Sequence, residues 1–504
     1  MMGIPLPSTK QSLPIYCAIV SLSVLLGAVL SGCAWNKRQP QVDLGQIYNE
    51  AAQRPDYQRN PVIVVPGILG SRLVDSQTQE VVWGELGTGG ANPWQTRSLT
   101  EIALPMGESA PLSQLRDQVH ADGPLDQLTF KLFGIPIHVN AYAQILATLG
   151  VGGYRDQHFH GKSQNNEVDY GDQHFTCFQF SYDWRRDISE TAGELHRFIE
   201  ASEAKIREQY RLRYGIENAN IRFDIVAHSM GGLITRYYLR YGDQPLPEDG
   251  SLPALNWAGA NRVGRAVLVG TPNGGSAEAL IQLKEGMQLI PGLPRFPPAV
   301  LGTMPAVYQL LPRARHQPLV TKEGQGLDLY EPDTWKQLQW GLADPNQDSQ
   351  LRKLLPEMDQ QARRRIALNH QHKCLVRARQ LHESLDISSD TPSWLDVHLY
   401  AGDAKPTLEA IVVDSNSSQI TEKREAAGDG SVTRNSAQLF EPLAARRYQG
   451  IDWTSKTFLS TDHLGLTRDR TFVDNVLDLL LNSKRNRVPP FVPATASGGL
   501  GIRQ

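Results

Sequence analysis

From Pro61 onward, short runs of aliphatic and β-branched residues alternate with longer stretches of helical spacing. Val62–Val65 is the first of these runs, and Ile221–Val226 and Ala266–Val269 are of the same kind. Apolar strands that are separated by helices are typical of a mainly parallel sheet with helices on both faces. The alternation therefore predicts an α/β protein.

Further elements follow the same pattern. Strands are predicted at Phe178–Tyr182, Val397–Tyr400 and Thr457–Ser460, and helices at Ala192–Arg213 and Phe472–Leu481. The chain has 504 residues, of which 40% are hydrophobic and 20% are charged. This composition is ordinary for a protein that folds in water, and the length allows one large α/β domain or two or three smaller ones.

The N-terminus carries a processing signal. Lys10 precedes an uncharged apolar run, Ile15–Leu30, which is short for a membrane span and typical of the apolar part of a signal peptide. The run ends in Leu30-Ser31-Gly32-Cys33, which resembles a bacterial lipobox. That resemblance implies cleavage before Cys33, a diacylglycerol on its thiol and attachment to a membrane of the bacterial cell envelope. Ala34 carries no inner-membrane retention signal, which weakly favours the outer membrane; an uncleaved anchor is the alternative.

The sequence divides into four parts. Residues 1–32 are predicted to be the signal peptide, and residues 33–60 a lipidated N-terminus and flexible tether, because they are polar and lack apolar periodicity. Residues 61–484 form the predicted α/β domain, with a cap or lid insertion at about 284–395 that is mostly helix and loop. Residues 485–504 contain a Pro-Pro and a Gly-Gly pair and are predicted to be a flexible tail.

Charge and cysteine content exclude several classes of protein. The formal net charge is −3 and no dense Lys/Arg run occurs, so no nucleic-acid partner is expected. Four cysteines in 504 residues do not form a disulfide scaffold, although one bridge between Cys177 and Cys374 is possible. No H-x-x-x-H or C-x-x-C cluster suggests a metal, so no cofactor is predicted, and no obligate protein partner is evident.

Ala227–Gly232 (AHSMGG) lies between a predicted strand and a predicted helix. A serine hydroxyl is a poor nucleophile unless a base takes its proton, and a sharp strand-to-helix turn exposes that hydroxyl. Such a turn needs small residues two positions before and after the serine, which here are Ala227 and Gly231, with alanine in place of the usual first glycine. The pattern predicts a nucleophile elbow at Ser229; a serine that caps an ordinary helix is the alternative.

An acyl-transfer site also needs donors for the negative oxygen of the tetrahedral intermediate. One predicted donor is the backbone N–H of Met230, the residue after the nucleophile. The other is the N–H of Ile68 in Pro66–Ser71 (PGILGS), a glycine-containing loop after the first strand. A plain glycine turn is the alternative for this loop.

The acid and the base should follow the serine in that order. Asp429 lies in a glycine-flanked loop (GDGSV), and His463 lies between a predicted strand and the last helix. His463 is the predicted general base, and Asp429 is predicted to fix its tautomer and stabilise its cation. Other candidates compete for these roles. His228 is expected to point away along the turn, His370 and His372 are expected on a solvated helix face, and the alternative acids are Asp403, Asp414 and Asp462.

Together these motifs resemble the lecithin:cholesterol acyltransferase family, which includes phospholipase A2-type enzymes and many bacterial lipase-like members. The similar segments run in order through nearly all of the folded chain: PVIVVPGILGSRL (61–73), YDWR (182–185), AHSMGG (227–232), GTP (270–272), AVYQLLP (306–312), GDGSV (428–432) and the DH at 462–463. The elbow is shared by many hydrolases, whereas PGILGS and YDWR narrow the resemblance to this family.

The resemblance implies an α/β-hydrolase fold with a cap, and transfer of a fatty acyl group from a membrane lipid ester to Ser229 and then to water or an alcohol. It implies a structural role for YDWR, with Asp183 and Arg185 paired beneath the site. Residues 284–312 and Trp83–Trp94 are candidates for a lid or a membrane-binding patch, with ordinary cap packing as the alternative. The two cysteine pairs of extracellular animal members have no evident counterparts here.

Three functions are consistent with these observations. The first is a serine-dependent lipid acyl-ester hydrolase or O-acyltransferase at a membrane. The second is an esterase or thioesterase for soluble substrates, and the third is a non-catalytic lipoprotein that binds a lipid or an envelope partner. Loss of a residue of the triad would favour the third function, and none is lost.

Overall fold

The computed structural model describes residues 43–86, 96–125, 127–132, 135–140, 143–157, 175–288, 295–440 and 450–482. The chain divides into two units, residues 1–47 and 48–504. The predicted signal peptide, Cys33 and the predicted tail lie outside the described residues. Among the helices that are described, none combines the length and apolarity needed to cross a membrane.

Strands and helices alternate through most of the described chain. In chain order the described strands are β1 (Val62–Val65), β2 (Ser71–Asp75), β3 (Val81–Trp83), β4 (Glu85–Leu86), β5 (Val119–Pro124), β6 (Gln127–Leu132), β7 (Ile135–Asn140), β8 (Cys177–Gln179), β9 (Phe223–His228), β10 (Val263–Val269), β11 (Leu319–Thr321), β12 (Asp396–Gly402), β13 (Lys405–Asp414), β14 (Gln419–Gly428) and β15 (Ser455–Leu459). The described α-helices are α1 (Leu44–Ala52), α2 (Thr96–Ile102), α3 (Ala143–Val151), α4 (Ile188–Tyr214), α5 (Met230–Tyr241), α6 (Ala277–Glu285), α7 (Pro298–Leu301), α8 (Pro305–Gln309), α9 (Pro332–Leu338), α10 (Asp348–Leu354), α11 (Gln360–Leu385), α12 (Arg434–Gln438) and α13 (Arg470–Leu481).

Six strands form the central sheet, in the spatial order β15–β12–β10–β9–β1–β8. Every neighbouring pair in this sheet is parallel. Strands β1, β9, β10 and β12 are buried along their whole length, as expected where helices cover both faces. The predicted α/β class and mainly parallel sheet are confirmed. The other described strands form three small sheets, β3–β2–β5, β4–β6–β7 and β11–β13–β14.

The strand order reverses beside β1. Among the strands of this sheet, β8 comes next after β1 in the sequence and lies on one side of it. The strand after that, β9, lies on the other side. In an open α/β sheet, the loops at the carboxyl ends of the strands leave a crevice at such a reversal, and ligands bind there. The PGILGS segment begins directly after β1, and AHSMGG spans the junction of β9 and α5, so the fold brings these two motifs to one crevice.

Helix α4 has a well-defined start and end. The Asp187 carboxylate caps its first turn by accepting hydrogen bonds from the N–H groups of Ser189 (2.7 Å) and Glu190 (3.4 Å). Gly215 ends the helix in the left-handed conformation, with φ 64°. The sequence prediction of Ala192–Arg213 was short by one turn because the capping carboxylate was not recognised.

A buried ion pair fastens the predicted insertion to the start of α4. Asp187 Oδ2 accepts hydrogen bonds from Arg377 Nε on α11 (2.8 Å) and from Gln309 Nε2 on α8 (2.9 Å). Gln309 Oε1 in turn accepts from the N–H of Ile188 (2.8 Å). Asp187 and Arg377 are both buried. In its described residues the segment at about 284–395 is mostly helix and loop, and this cluster of side chains holds its helices α8 and α11 against the start of α4.

The hairpin formed by β13 and β14 was not predicted. Strand β14 (QITEKREAAG) is exposed along most of its length and rich in charged residues, which removes the apolar alternation that marks a strand. It pairs with β13 in antiparallel register from Lys405–Gly428 to Asp414–Gln419. The strand ends one residue before Asp429, so this hairpin positions the predicted catalytic acid.

The two segments considered for a lid or a membrane patch are buried where they are described. Trp83 is fully buried and packs edge-on against Trp184, with ring centroids 5.3 Å apart. In residues 295–312 most side chains are buried, including Phe296 and all of α7 and α8. The described parts of both segments therefore fit ordinary cap packing, and Trp94 lies outside the described residues.

The predicted tether is wrong in its second half. Residues from Tyr48 to Asn60 pack against the α/β domain: the Tyr48 hydroxyl donates to Asp474 Oδ1 (2.7 Å), and Arg59 Nη1 donates to the Gly152 carbonyl (2.7 Å). Helix α1 was missed because its apolar residues are few and polar residues surround them. The two cysteines of the described chain, Cys177 and Cys374, are buried free thiols, so the bridge considered above is not formed.

The expectation of a solvated face was right for His372 and wrong for His370. His372 is exposed, whereas His370 is 1% exposed and its Nε2–H donates to the carbonyl oxygen of Thr303 (3.0 Å). Burial lowers the pKa of His370 to about 4, from 6.5 in the unfolded chain. A long helix with many charged residues does not reveal which of its faces is covered by the cap.

This histidine predicts a pH dependence of stability. Between pH 6.5 and 4 the unfolded state binds a proton at His370 that the folded state does not, so folding loses free energy as the pH falls. Relative to His370→Gln, which keeps an N–H donor, the wild type should lose about 1.4 kcal/mol of unfolding free energy per pH unit in this window. Urea unfolding at closely spaced pH values measures the difference. A difference that does not change with pH would contradict the burial of a neutral histidine.

Candidate active site

Ser229 lies on a strained turn between β9 and α5. Its backbone has φ 53° and ψ −125°, a conformation that non-glycine residues rarely adopt and that costs on the order of 1–3 kcal/mol. Although Ser229 occupies the N-cap position of α5, its side chain makes no capping hydrogen bond. The alternative of an ordinary helix-capping serine is therefore wrong, because the hydroxyl points to another partner.

Two glycines allow α5 to start this close to the sheet. A Cβ on Gly231 would lie 2.5 Å from the carbonyl oxygens of both Val65 and Pro66, and a Cβ on Gly232 would overlap the Thr271 side chain. Gly231 is the small residue expected two positions after the serine. It is required because the end of β1 and the loop after it leave no room for a side chain. The second glycine of the AHSMGG segment is required by the loop after β10.

His463 follows β15 and reaches the serine. Its Nε2 lies 2.9 Å from Ser229 Oγ, and its Nδ1 lies 2.8 Å from Asp429 Oδ2. Gly270, with φ 58°, gives the ring room, because a Cβ there would lie 3.1 Å from His463 Cε1. The structure thus brings together the three residues predicted as nucleophile, acid and base.

The second oxygen of Asp429 is also engaged. Asp429 Oδ1 accepts hydrogen bonds from the N–H groups of Ser431 (2.9 Å) and Val432 (2.7 Å), so the carboxylate cannot rotate away from His463. Burial of Asp429 opposes its negative charge, but the hydrogen bond from His463 and those from the two N–H groups outweigh burial and hold its pKa below the usual value. The acid is 2% exposed, which seals this end of the triad from water.

The alternative acids make other contacts. None of them is hydrogen-bonded to His463 within the described part of the chain; their partners are Arg434 for Asp403 (2.8 Å), Lys322 for Asp414 (2.7 Å) and the Gly465 N–H for Asp462 (2.8 Å). Asp462 instead stabilises the turn that follows His463, through this hydrogen bond with the Gly465 N–H.

His228 does not point away from the site as expected. It is 5% exposed, its ring centroid lies 4.8 Å from that of His463, and its Nε2–H donates to the carbonyl oxygen of His463 (3.1 Å). Burial, together with the neighbouring His463, lowers the pKa of His228 to about 3. His228 is therefore a neutral donor that fixes the backbone of the predicted base. The sequence shows that His228 is next to Ser229, but the direction of the His228 side chain depends on the strained backbone of the turn.

The PGILGS loop is held from several sides. The Tyr182 hydroxyl donates to the Pro66 carbonyl (2.7 Å), the Tyr182 N–H donates to Ser71 Oγ (3.1 Å), and Trp83 Nε1 donates to the Leu69 carbonyl (2.9 Å). Since Gly231 packs against the carbonyls of Val65 and Pro66, this loop and the start of α5 are in contact. The two nominated donors, Ile68 and Met230, thus lie on adjoining segments, and Met230 is the first residue of α5, whose N–H has no partner inside the helix.

The YDWR segment is structural, as the sequence suggested. Arg185 is fully buried and pairs with both oxygens of Asp183, with Nε–Oδ1 2.9 Å and Nη2–Oδ2 2.8 Å. Its Nη1 also pairs with Asp117 (2.8 Å). The predicted pairing of Asp183 with Arg185 is confirmed, and Tyr182 of the same segment supports the PGILGS loop.

A parallel sheet, a serine on a strand-to-helix elbow, and an acid and a histidine that follow it in chain order define an α/β hydrolase. Residues 162–393 match the family model described as lecithin:cholesterol acyltransferase. This match confirms the resemblance that the motifs carry. At the level of the family it supports a lipid acyl-ester hydrolase or acyltransferase.

One of three similar solved structures shows the same fold. The crystal structure of the Tle4–Tli4 complex superposes with a TM-score of 0.54 at 14% identity and covers 83% of this chain and 97% of that chain. EstA from Clostridium botulinum gives a TM-score of 0.33 at 13% identity, with 86% and 91% covered. Lipase 1 from Pelosinus fermentans gives 0.31 at 14% identity, with 84% and 99% covered. No curated protein matches the sequence significantly.

The contact of His228 with His463 predicts a loss of turnover when the donor is removed. His228→Leu should reduce kcat for ester hydrolysis by about 10- to 100-fold with little change in KM, because a misdirected base affects the reaction and not substrate binding. Since the pKa of His228 is about 3, the loss should be the same from pH 6 to 9.

His228→Gln is the matched control, because an amide N–H can replace the imidazole donor. It should recover most of the lost kcat. Steady-state kinetics on a soluble p-nitrophenyl ester measure both variants. Equal kcat values for wild type and His228→Leu would refute a positioning role.

Proposed function

We propose that this protein is a serine-dependent lipid acyl-ester hydrolase or O-acyltransferase that works through an acyl-enzyme on Ser229. The single observation that carries the proposal is the pair of contacts from His463, to Ser229 Oγ (2.9 Å) and to Asp429 Oδ2 (2.8 Å). The family match supports the lipid ester as substrate. The proposed substrate is a phospholipid or a related acyl ester, and the acyl acceptor is water or an alcohol.

The first half of the reaction forms the acyl-enzyme. His463 Nε2 takes the proton of Ser229 as Oγ attacks the ester carbonyl carbon, and the oxyanion that forms accepts hydrogen bonds from the N–H groups of Met230 and Ile68. Asp429 stabilises the imidazolium and keeps Nδ1 protonated. His463 then gives its proton to the leaving alcohol, and the ester bond to that alcohol breaks.

The second half repeats these steps with a new nucleophile. His463 takes a proton from water or from an alcohol, whose oxygen attacks the acyl carbon on Ser229. Release of Ser229 yields a free fatty acid in the first case and a new ester in the second. The same residues therefore serve hydrolysis and transfer, and only the acceptor distinguishes them.

Ser229→Ala tests the proposal. The full-length wild type in detergent, presented with phospholipid vesicles with and without a sterol or long-chain alcohol, should release acyl products that mass spectrometry resolves as fatty acid or ester. Ser229→Ala should lower turnover by about four to six powers of ten. Ser251→Ala, in an exposed loop, is the matched control and should be fully active.

Three outcomes would change the assignment. Turnover confined to short, dissolved esters in a p-nitrophenyl series would favour an esterase or thioesterase for soluble substrates. Absence of turnover in a folded wild type on any ester would favour a lipid-binding lipoprotein. Equal turnover by Ser229→Ala would exclude the acyl-enzyme.

We also propose that the mature protein is lipid-anchored through Cys33 in the bacterial cell envelope, at the outer membrane. The proposal rests on the apolar run that ends in Leu30-Ser31-Gly32-Cys33. An acyl chain stabilises membrane attachment by about 0.8 kcal/mol per buried CH₂, and it would keep the site near insoluble substrate.

Expression in a Gram-negative bacterium tests the anchor. The wild type should fractionate with membranes and begin at a diacylglycerol-modified Cys33 by intact mass, whereas Cys33→Ser should remain unmodified and unprocessed. Cys17→Ser, which changes the other cysteine of the leader, should behave as wild type. An unmodified Cys33 in the wild type would contradict the lipobox, and recovery in the inner membrane alone would overturn the outer-membrane placement.

A further inference from the structure

The turn that carries Asp429, residues 428–433, determines where its carboxylate points. The Asp429 N–H donates to the Val432 carbonyl (3.1 Å), and the N–H groups of Ser431 and Val432 donate to Asp429 Oδ1. A change in this turn therefore moves the carboxylate relative to His463, to which Oδ2 is hydrogen-bonded. Two hydroxyl groups from other elements hold the turn, and the reaction steps proposed above make no use of them.

The first hydroxyl belongs to Thr407 on β13. Its Oγ1 accepts a hydrogen bond from the Gly430 N–H (2.8 Å) and donates one to the Lys405 carbonyl (3.0 Å). Thr407 is 2% exposed, and a Cβ on Gly428 would lie 2.5 Å from its Oγ1. The start of the turn is thus packed directly against the hairpin β13–β14.

The second hydroxyl belongs to Ser276, at the N-cap position of α6. A serine at this position usually accepts a hydrogen bond from an N–H of the first helical turn, but Ser276 makes no such bond. Its hydroxyl donates instead to the Ser431 carbonyl, at 2.6 Å. The N–H of Ser431 is one of the two that hold Asp429 Oδ1, so Ser431 connects Ser276 to the carboxylate of the acid.

The position of Ser276 is fixed by the predicted insertion. The Ser276 N–H donates to the Leu310 carbonyl (2.8 Å). Gly275, with φ 94°, has no room for a side chain, because a Cβ there would lie 2.3 Å from Pro312 Cα. The AVYQLLP segment, residues 306–312, therefore packs against the chain that carries the Ser276 hydroxyl, and this packing sets the place of the hydroxyl before any substrate binds.

We infer that Ser276 is a positioning residue for the catalytic acid. Its hydroxyl fixes the Ser431 carbonyl and thereby keeps the Asp429 carboxylate directed at His463. Thr407 supports the same turn from β13. The inference rests on the proposed function, because the orientation of Asp429 matters to turnover only if His463 is the base. It also gives a role to the AVYQLLP segment, which connects the insertion to the triad through Ser276.

Kinetics on a soluble p-nitrophenyl ester test the inference. Ser276→Ala should reduce kcat by about tenfold or more with little change in KM, because a poorly aligned carboxylate stabilises the imidazolium less but does not affect substrate binding. Ser276→Thr keeps the hydroxyl and should retain most of the kcat. Thr407→Val should act in the same direction as Ser276→Ala, whereas Thr421→Val, which removes an exposed hydroxyl of β14, is the matched control and should turn over as the wild type does.

A proton NMR spectrum of the full-length protein in detergent gives a readout that needs no turnover. The proton between His463 Nδ1 and Asp429 Oδ2 should resonate at low field in the wild type, because it lies in a short hydrogen bond to a charged acceptor. In Ser276→Ala this resonance should move upfield or broaden beyond detection. A variant that had only lost stability would keep the resonance at its wild-type position below the unfolding transition.

A double-mutant cycle tests whether Ser276 acts through the acid. In an Asp429→Ala background there is no carboxylate to direct, so the addition of Ser276→Ala should reduce kcat by less than about twofold. The same reduction of about tenfold or more in both backgrounds would show that the hydroxyl acts on another part of the site, and it would overturn the inference.

The results separate the inference from the proposed function. An unchanged kcat and an unchanged low-field resonance in Ser276→Ala would refute the positioning role and leave the acyl-enzyme intact. An equal loss of kcat in Ser276→Ala and Ser276→Thr would attribute the effect to the start of α6 rather than to the hydroxyl, and would also refute it. If a folded wild type turned over no ester, the proposed function would fail, and the resonance would still decide whether Ser276 directs the carboxylate.

Discussion

The close approach of α5 to the ends of β1 and β10 is the constraint on which the rest of the site depends. At Gly231 and Gly232 there is no room for a side chain, because carbonyl oxygens of Val65 and Pro66 and the side chain of Thr271 occupy the space. This packing holds Ser229 in a backbone conformation that it would not adopt by itself. The strain at one residue is thus supported by its packing against the parallel sheet, and the Ser229 hydroxyl is held in place by the fold.

The two side chains that contact His463, Asp429 and His228, differ in charge. Asp429 is ionised and enclosed, with one oxygen held by two N–H groups and the other by His463. His228, whose ring centroid lies 4.8 Å from that of His463, is kept neutral by burial and donates an N–H to the carbonyl oxygen of His463. In the proposed reaction one neighbour would stabilise the positive charge on His463, and the other would fix its position without adding a repulsive charge.

The features that were predicted correctly from the sequence are those that depend on residues near one another in the chain. The strands Val62–Val65 and Ile221–Val226 and the order of Ser229, Asp429 and His463 follow from apolar runs and from the rules of one fold. The hairpin β13–β14 was missed because its exposed strand is polar.

The errors at single histidines have a different cause. The orientation of His228 follows from a strained turn, and the burial of His370 follows from a contact with Thr303, 67 positions earlier in the chain. Neither is encoded in neighbouring residues, so a single sequence without its fold cannot reveal them. The helix before Asn60 was missed for a related reason, since Tyr48 finds its partner at Asp474.

The clamp at Asp187 limits the conformations that the insertion can populate. Separating Arg377 and Gln309 from Asp187 would leave a carboxylate buried without its cation, at a cost of about 3–5 kcal/mol. A state in which α8 and α11 swing away together would then be occupied by fewer than about one molecule in a hundred. A large rotation of these two helices therefore contributes little to the opening of the cap, and access to the triad depends on smaller movements.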